Sequence, residues 1–128
     1  MRVWIIMAAI NGALSVGLGA YAAHGFDPAT QAYEIGLMEK ATRYQMYHAL
    51  ALLAVGGLAA RRPESRLVAL AGGLFSLGIL LFCGSLYVIA LSGLAVGGVA
   101  PFGGSALIAG WLSLIAVALT EKSRAKWS

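Results

Sequence analysis

The chain has 128 residues, of which 60% are hydrophobic and 11% charged, with 17 glycines and a formal net charge of +4; its mean hydropathy is +0.84. Soluble domains hold about 45–50% apolar and about 25% charged residues, so a soluble enzyme or binding module is excluded. The Lys and Arg residues cluster at the ends of apolar segments rather than along one stripe, which excludes a nucleic-acid interface.

Uncharged apolar stretches run from Val3 to Ala23, Tyr44 to Ala60, Leu67 to Leu91 and Phe102 to Thr120. A hydrocarbon core about 30 Å thick takes about 20 residues at 1.5 Å rise, and backbone inside lipid must satisfy its own hydrogen bonds, so each stretch predicts a helix. The expected fold is all-α, an integral membrane antiparallel four-helix bundle in a single domain, with spans at about 3–24, 41–60, 67–92 and 102–120.

In the first span, Ala9, Ala13, Gly17, Ala20 and His24 follow at spacings of four, four, three and four. Helices in lipid associate by close backbone approach through small residues, so this face, with Gly17 on it, is expected to meet the other helices and to carry His24 inward. Asn11 and Ser15, four apart near mid-span, are expected to bond a neighbouring helix. Ala20-Tyr21-Ala22 after an apolar run imitates a signal cleavage site, but a 21-residue run containing Asn11 and Ser15 is longer and more polar than a signal core of about 7 to 15 residues, and the helix is expected to be retained.

Asp27-Pro28 marks a stop and turn, after which 29–40 mixes apolar and charged residues as either a short helix on the outer surface or an ordered loop. The second span opens with Tyr44, Gln45 and His48 on one face. Arg61 to Arg66 is a tight turn with Pro63 ending the helix. The third span offers Gly72 and Ser76 for packing, a lone Cys83 read as a small buried side chain, and Tyr87 in its outer third. A connection with five glycines and Pro101 leads to the fourth span, where Ser105 enters, Ala106 and Gly110 form a small-residue pair and Trp111 needs a partner for its indole N–H.

Arg2, Arg61, Arg62, Arg66, Lys122, Arg124 and Lys126 fall on one side and only Lys40 and Arg43 on the other, so the positive-inside rule places both termini in the cytoplasm. Trp4 and Trp127 then fall near the cytoplasmic interface.

His24, Tyr44, Gln45, His48 and Tyr87 are expected at one depth, in the outer half of the bundle, as a candidate polar or ligand cluster. Its histidines can hydrogen-bond neighbouring helices, respond to protons or bind a ligand. Two histidines without further ligands at metal spacing make no closed zinc site, and an axial haem pair is permitted rather than demanded. No metal, cofactor or catalytic set is assigned, since Asp27, Glu34, Glu39, Glu64 and Glu121 all lie in loops or tails.

The run Gly17-Leu18-Gly19-Ala20-Tyr21-Ala22-Ala23-His24-Gly25, the run Lys40-Ala41-Thr42-Arg43-Tyr44-Gln45-Met46-Tyr47-His48-Ala49-Leu50-Ala51-Leu52-Leu53 and the turn Pro101-Phe102-Gly103-Gly104 together resemble the YwdK/YgdD-like family of small bacterial inner-membrane proteins, a domain of unknown function related to a small eukaryotic transmembrane family. Tyr21 stands where that family more often carries Phe. The resemblance implies four spans, a bacterial inner-membrane location and no established activity. The functional expectation is a non-enzymatic accessory or structural subunit, bound to a membrane-protein partner or to copies of itself in the bilayer. The alternatives are a small proton-responsive transporter or channel using His24 and His48, and, more remotely, a haem or quinone site at that pair.

Overall fold

The computed structural model describes residues 1–120 and holds four long helices. Lys122, Arg124, Lys126 and Trp127 lie outside the described residues. Helix α1 is Arg2–Gly25, α2 is Ala32–Arg61, α3 is Arg66–Ser92 and α4 is Ala100–Thr120. By length and composition α1, α3 and α4 can each cross a membrane, α4 together with the 3-10 turn Gly97–Val99 that leads into it. The chain is an all-α membrane bundle.

The links are short and bonded. After α1, Asp27 and Gln31 close a tight connection: the Gln31 side chain accepts from the Asp27 N–H at 2.8 Å, and the Asp27 carboxylate accepts from Ala29 N–H at 2.9 Å. Ser65 caps α3 by accepting from the Val68 N–H at 3.2 Å. Gly93, at φ 75°, ends α3 in the left-handed conformation that a side chain resists, its N–H donating to Ile89.

The second helix differs from its expected bounds. The stretch 29–40 is no separate surface helix, because α2 already starts at Ala32 and runs unbroken for 30 residues, about 45 Å at 1.5 Å per residue. The reason is packing: Met38 is fully buried with Ala22 and Ala90, and Leu18, Phe26 and Leu37 pack around them, so the early turns of α2 are held against the end of α1. Helix α2 is central. It packs on α1 along one side and on α3 along another, whereas α1 packs mainly on α2, with Trp4 and Met7 reaching α3.

Close approaches on α3 and α4 use small residues as expected. A Cβ on Gly72 would lie 2.6 Å from the Trp4 ring, and one on Gly110 would lie 2.8 Å from the Phe75 ring. The contact of Gly103 with the backbone of Phe82 is tighter still, leaving no room for a methyl group. Phe82 belongs to a π turn, Ile79–Cys83, that interrupts α3 between the α-helical parts Arg66–Gly78 and Gly84–Ser92.

The first helix uses another face than expected. Ala9, Ala13, Gly17, Ala20 and His24 are all exposed, and a Cβ on Gly17 would meet nothing within 4 Å. The face turned to α2 is Ala8, Ser15 and Ala22. Small residues occur on both faces, but only this side brings Ser15 and Asn11 to partners. An unpartnered polar group in hydrocarbon costs several kcal/mol, roughly, more than either small-residue face gains by packing.

Candidate functional site

Two chains of polar side chains meet on α2 near the middle of the bundle. The first joins three helices. Tyr87 on α3 donates its hydroxyl to Gln45 Oε1 at 2.6 Å, Gln45 Nε2 donates to Asn11 Oδ1 at 3.0 Å, and Asn11 Nδ2 donates to the Met7 carbonyl at 2.8 Å. One group fixes every orientation in the series. The Met7 carbonyl can only accept, so Asn11 must turn its nitrogen to it and its oxygen to Gln45. Gln45 must then present nitrogen to Asn11 and oxygen to Tyr87, which is left to donate. Alongside, Ser15 Oγ donates to the Thr42 carbonyl at 2.7 Å.

The levels match because helical side chains lean toward their own N-terminus. Tyr87 lies near the end of α3, yet its hydroxyl reaches back to Gln45 on the oppositely running α2.

The second chain centres on His48, only 5% exposed. Its Nδ1 lies 2.6 Å from the Tyr44 carbonyl, and the Trp111 indole N–H approaches Nε2 at 3.1 Å. A carbonyl only accepts and an indole N–H only donates, so the ring is neutral with its proton on Nδ1. A second proton, on Nε2, would face the Trp111 donor. Around this pair the rings of Tyr44 and Phe82 (5.0 Å between centroids), His48 and Phe75 (5.7 Å), and Phe75 and Trp111 (5.1 Å) form an aromatic cluster between α2, α3 and α4.

Of the expected cluster, the structure joins Gln45 with Tyr87 and Tyr44 with His48, and it adds Asn11 to the first pair and Trp111 to the second. His24 stands apart. It is exposed at the end of α1, thirteen residues beyond Asn11, hence about 20 Å up the bundle from the level of Gln45. The expected common depth fails because α2 begins nine residues before the predicted span start at 41. Tyr44 to His48 therefore sit well inside the helix rather than at its mouth, near the middle of the length of α2. Gly17 makes no helix contact, and Ser105 bonds its own helix through the Pro101 carbonyl.

Between α1 and α3 lies a groove of about 580 Å³, floored by Gln45. Met7, Asn11, Leu14 and Leu18 form one wall at spacings of four, three and four, the face of one helix side. The residues of α3 that form the other wall include Ile79, Leu80 and Cys83 of the π turn. The exposed Leu14, Leu77 and Leu80 at its rim make it open sideways, toward lipid. Thr42, the aromatic contacts of Phe75 and Phe82, and the groove itself had no reading in the sequence. The Asn11–Gln45 bond had one available signal: these are the two amide side chains inside the predicted spans.

Residues 18–104 match the family described as Protein of unknown function (DUF423). The chain belongs to that family. It is 43% identical over 116 residues to UPF0382 membrane protein SSP2132 of Staphylococcus saprophyticus, covering 90% of this chain and 95% of that protein. Over 120 residues it is 38% identical to UPF0382 membrane protein YwdK of Bacillus subtilis, covering 93% of this chain and 98% of that protein. These relatives are bacterial membrane proteins by name, with no activity attached. No solved structure matches the chain. The family match takes in Tyr44, Gln45, His48 and Tyr87, while Asn11 and Trp111, which complete the two polar chains, lie outside it.

Proposed function

We propose that the chain is a non-enzymatic four-pass protein of the bacterial inner membrane, with both termini cytoplasmic, that acts as an accessory or structural subunit by binding a partner helix, its own copy or another protein's, along the outer face of α1. The observation that carries this reading is the outward turn of Ala9, Ala13, Gly17 and Ala20 on a helix packed mainly on α2. Small-residue faces are what membrane helices use to approach one another, and among the described residues nothing covers this one once the bundle has formed. A proton-carrying role for His24 and His48 has less support, since the two are far apart and both ring nitrogens of His48 are engaged.

Native mass spectrometry of the tagged chain, extracted in mild detergent from its own host at natural abundance, tests the proposal. A stoichiometric partner or a homo-oligomer is expected. Gly17→Leu should release it while the bundle stays folded, because a side chain at Gly17 meets no neighbour within 4 Å. A lone monomer, or an assembly indifferent to Gly17→Leu and Ala13→Leu, would overturn it.

A further inference from the structure

The groove between α1 and α3 carries polar chemistry that bundle packing does not use up. Asn11 and Gln45 each have two amide hydrogens, and each uses one, toward Met7 and Asn11 respectively. Both amide oxygens are engaged within the protein or by each other's chain, since Asn11 Oδ1 accepts from Gln45 and Gln45 Oε1 from Tyr87. The floor therefore keeps one uncommitted N–H on each amide, while each amide oxygen already accepts one bond. Among the described residues no Asp, Glu, Lys, Arg or His lines the groove, so an ionic headgroup would sit there uncompensated, which hydrocarbon penalises heavily. A neutral oxygen acceptor is the complement.

Depth narrows the class. Asn11 is nine residues from the start and fourteen from the end of α1, about 14 Å and 21 Å along its axis, close to the centre of a hydrocarbon layer about 30 Å thick. The ester carbonyls of a phospholipid lie at the boundary of that layer, about 15 Å from its centre, and cannot reach the amides without dragging a headgroup inward. A molecule that dissolves in the hydrocarbon and carries its carbonyl with it can. The walls suit an apolar chain, the Tyr87 ring on the same wall suits a flat ring, and the volume of about 580 Å³ falls in the range of small-molecule sites, about 300–1,000 Å³. The π turn Ile79–Cys83 supplies part of one wall, and such turns concentrate at functional sites.

We infer that this groove binds a chain-bearing carbonyl compound of the quinone class, its carbonyl oxygen accepting from the unused N–H of Gln45 or Asn11 and its chain lying between Leu14 and Leu80. The site admits its occupant sideways from the bilayer.

The test uses the full chain in nanodiscs of phosphatidylethanolamine and phosphatidylglycerol, with a photoreactive azidoquinone as label and decylubiquinone as competitor. Labelled peptides are expected from 7–18 and 76–87, with labelling suppressed by decylubiquinone. Gln45→Leu should weaken competition about tenfold, the worth of one hydrogen bond. Since Gln45→Leu also disturbs the polar chain, Gly84→Leu is the second variant: Gly84 lines the groove and a Cβ there meets nothing within 4 Å, so it obstructs the site and spares the fold. It should lower labelling by about tenfold or more. Label spread over all lipid-facing surfaces and indifferent to Gly84→Leu would overturn the inference. So would a native mass spectrum in which the protein retains a phospholipid that decylubiquinone does not displace.

Discussion

Replacing Gln45 with leucine removes two interhelical hydrogen bonds at once, to Asn11 on α1 and from Tyr87 on α3. Hydrogen bonds between membrane helices average about 0.6 kcal/mol and reach about 1.7, so the bonds alone account for about 1–3 kcal/mol. The substitution also leaves Asn11 Oδ1 and the Tyr87 hydroxyl without their partners, and stranding a buried polar group costs more than the bond was worth. The expected loss is about 2–4 kcal/mol. A triple variant, Asn11→Leu with Gln45→Leu and Tyr87→Phe, removes the polar groups together with their bonds and leaves nothing stranded. It should therefore be more stable than Gln45→Leu alone. Reversible unfolding by SDS in mixed micelles, followed by circular dichroism, measures both. A Gln45→Leu protein within about 0.5 kcal/mol of wild type, the scatter of a neutral surface change, would refute the reasoning, as would a triple variant less stable than the single one.

Three further outcomes follow from the same contacts. In ¹⁵N NMR of the labelled protein, His48 should show a protonated Nδ1 and an unprotonated, hydrogen-bonded Nε2 that shifts in Trp111→Phe; the opposite tautomer would contradict the bonding to Tyr44 and Trp111. Gly103→Ala, which drives a methyl group into the backbone of Phe82, should cost about 1–3 kcal/mol, as overpacking does, while Gly17→Ala should stay within about 0.5 kcal/mol in the isolated bundle; equal effects would refute the assignment of faces on α1 and α4. In a Cys83→Ala background, a cysteine at Thr30 should react with an impermeant thiol reagent on intact spheroplasts and one at Glu64 only after permeabilisation, and the reverse pattern would invert the proposed orientation.

Fold class was legible because it depends on quantities that composition carries: apolar runs long enough to span lipid, and backbone that must bond to itself there. Which face of each helix turns inward was less so. On α1 the small-residue stripe and the Asn11/Ser15 side offered competing solutions, and rules for helix packing favoured the stripe. The structure follows the cost of stranded polar groups instead, and Ser15 and Asn11 find Thr42 and Gln45. The position of His24 was misjudged for a different reason. An apolar run starting at Tyr44 marks where charge stops, not where the helix starts, and Met38 and Leu37 extend α2 into the charged stretch by packing on α1 and α3. The π turn left no trace in Ile79-Leu80-Leu81-Phe82-Cys83, and the residue that meets its backbone at Phe82 is Gly103, from a helix distant in sequence.

The amides also answer a question of register. The face of α1 against α2 carries Ala8, Ser15 and Ala22 at intervals of seven; Ile5 seats against Gly56 of α2 near one end, and the polar bonds add a second constraint on register along the helix. A slide of one turn moves Asn11 by about 5 Å, out of reach of Gln45, and separates Ser15 from Thr42. Each bond contributes modestly to stability, yet every alternative register strands several polar groups in hydrocarbon at several kcal/mol, roughly, for each. The gap between the native register and its competitors is therefore much larger than the stability the bonds supply. That is why α2, the helix least able to cross a membrane by its own composition, sits at the centre, where α1, α3 and α4 each bring a partner to it: Asn11 and Tyr87 for Gln45, and Trp111 for His48.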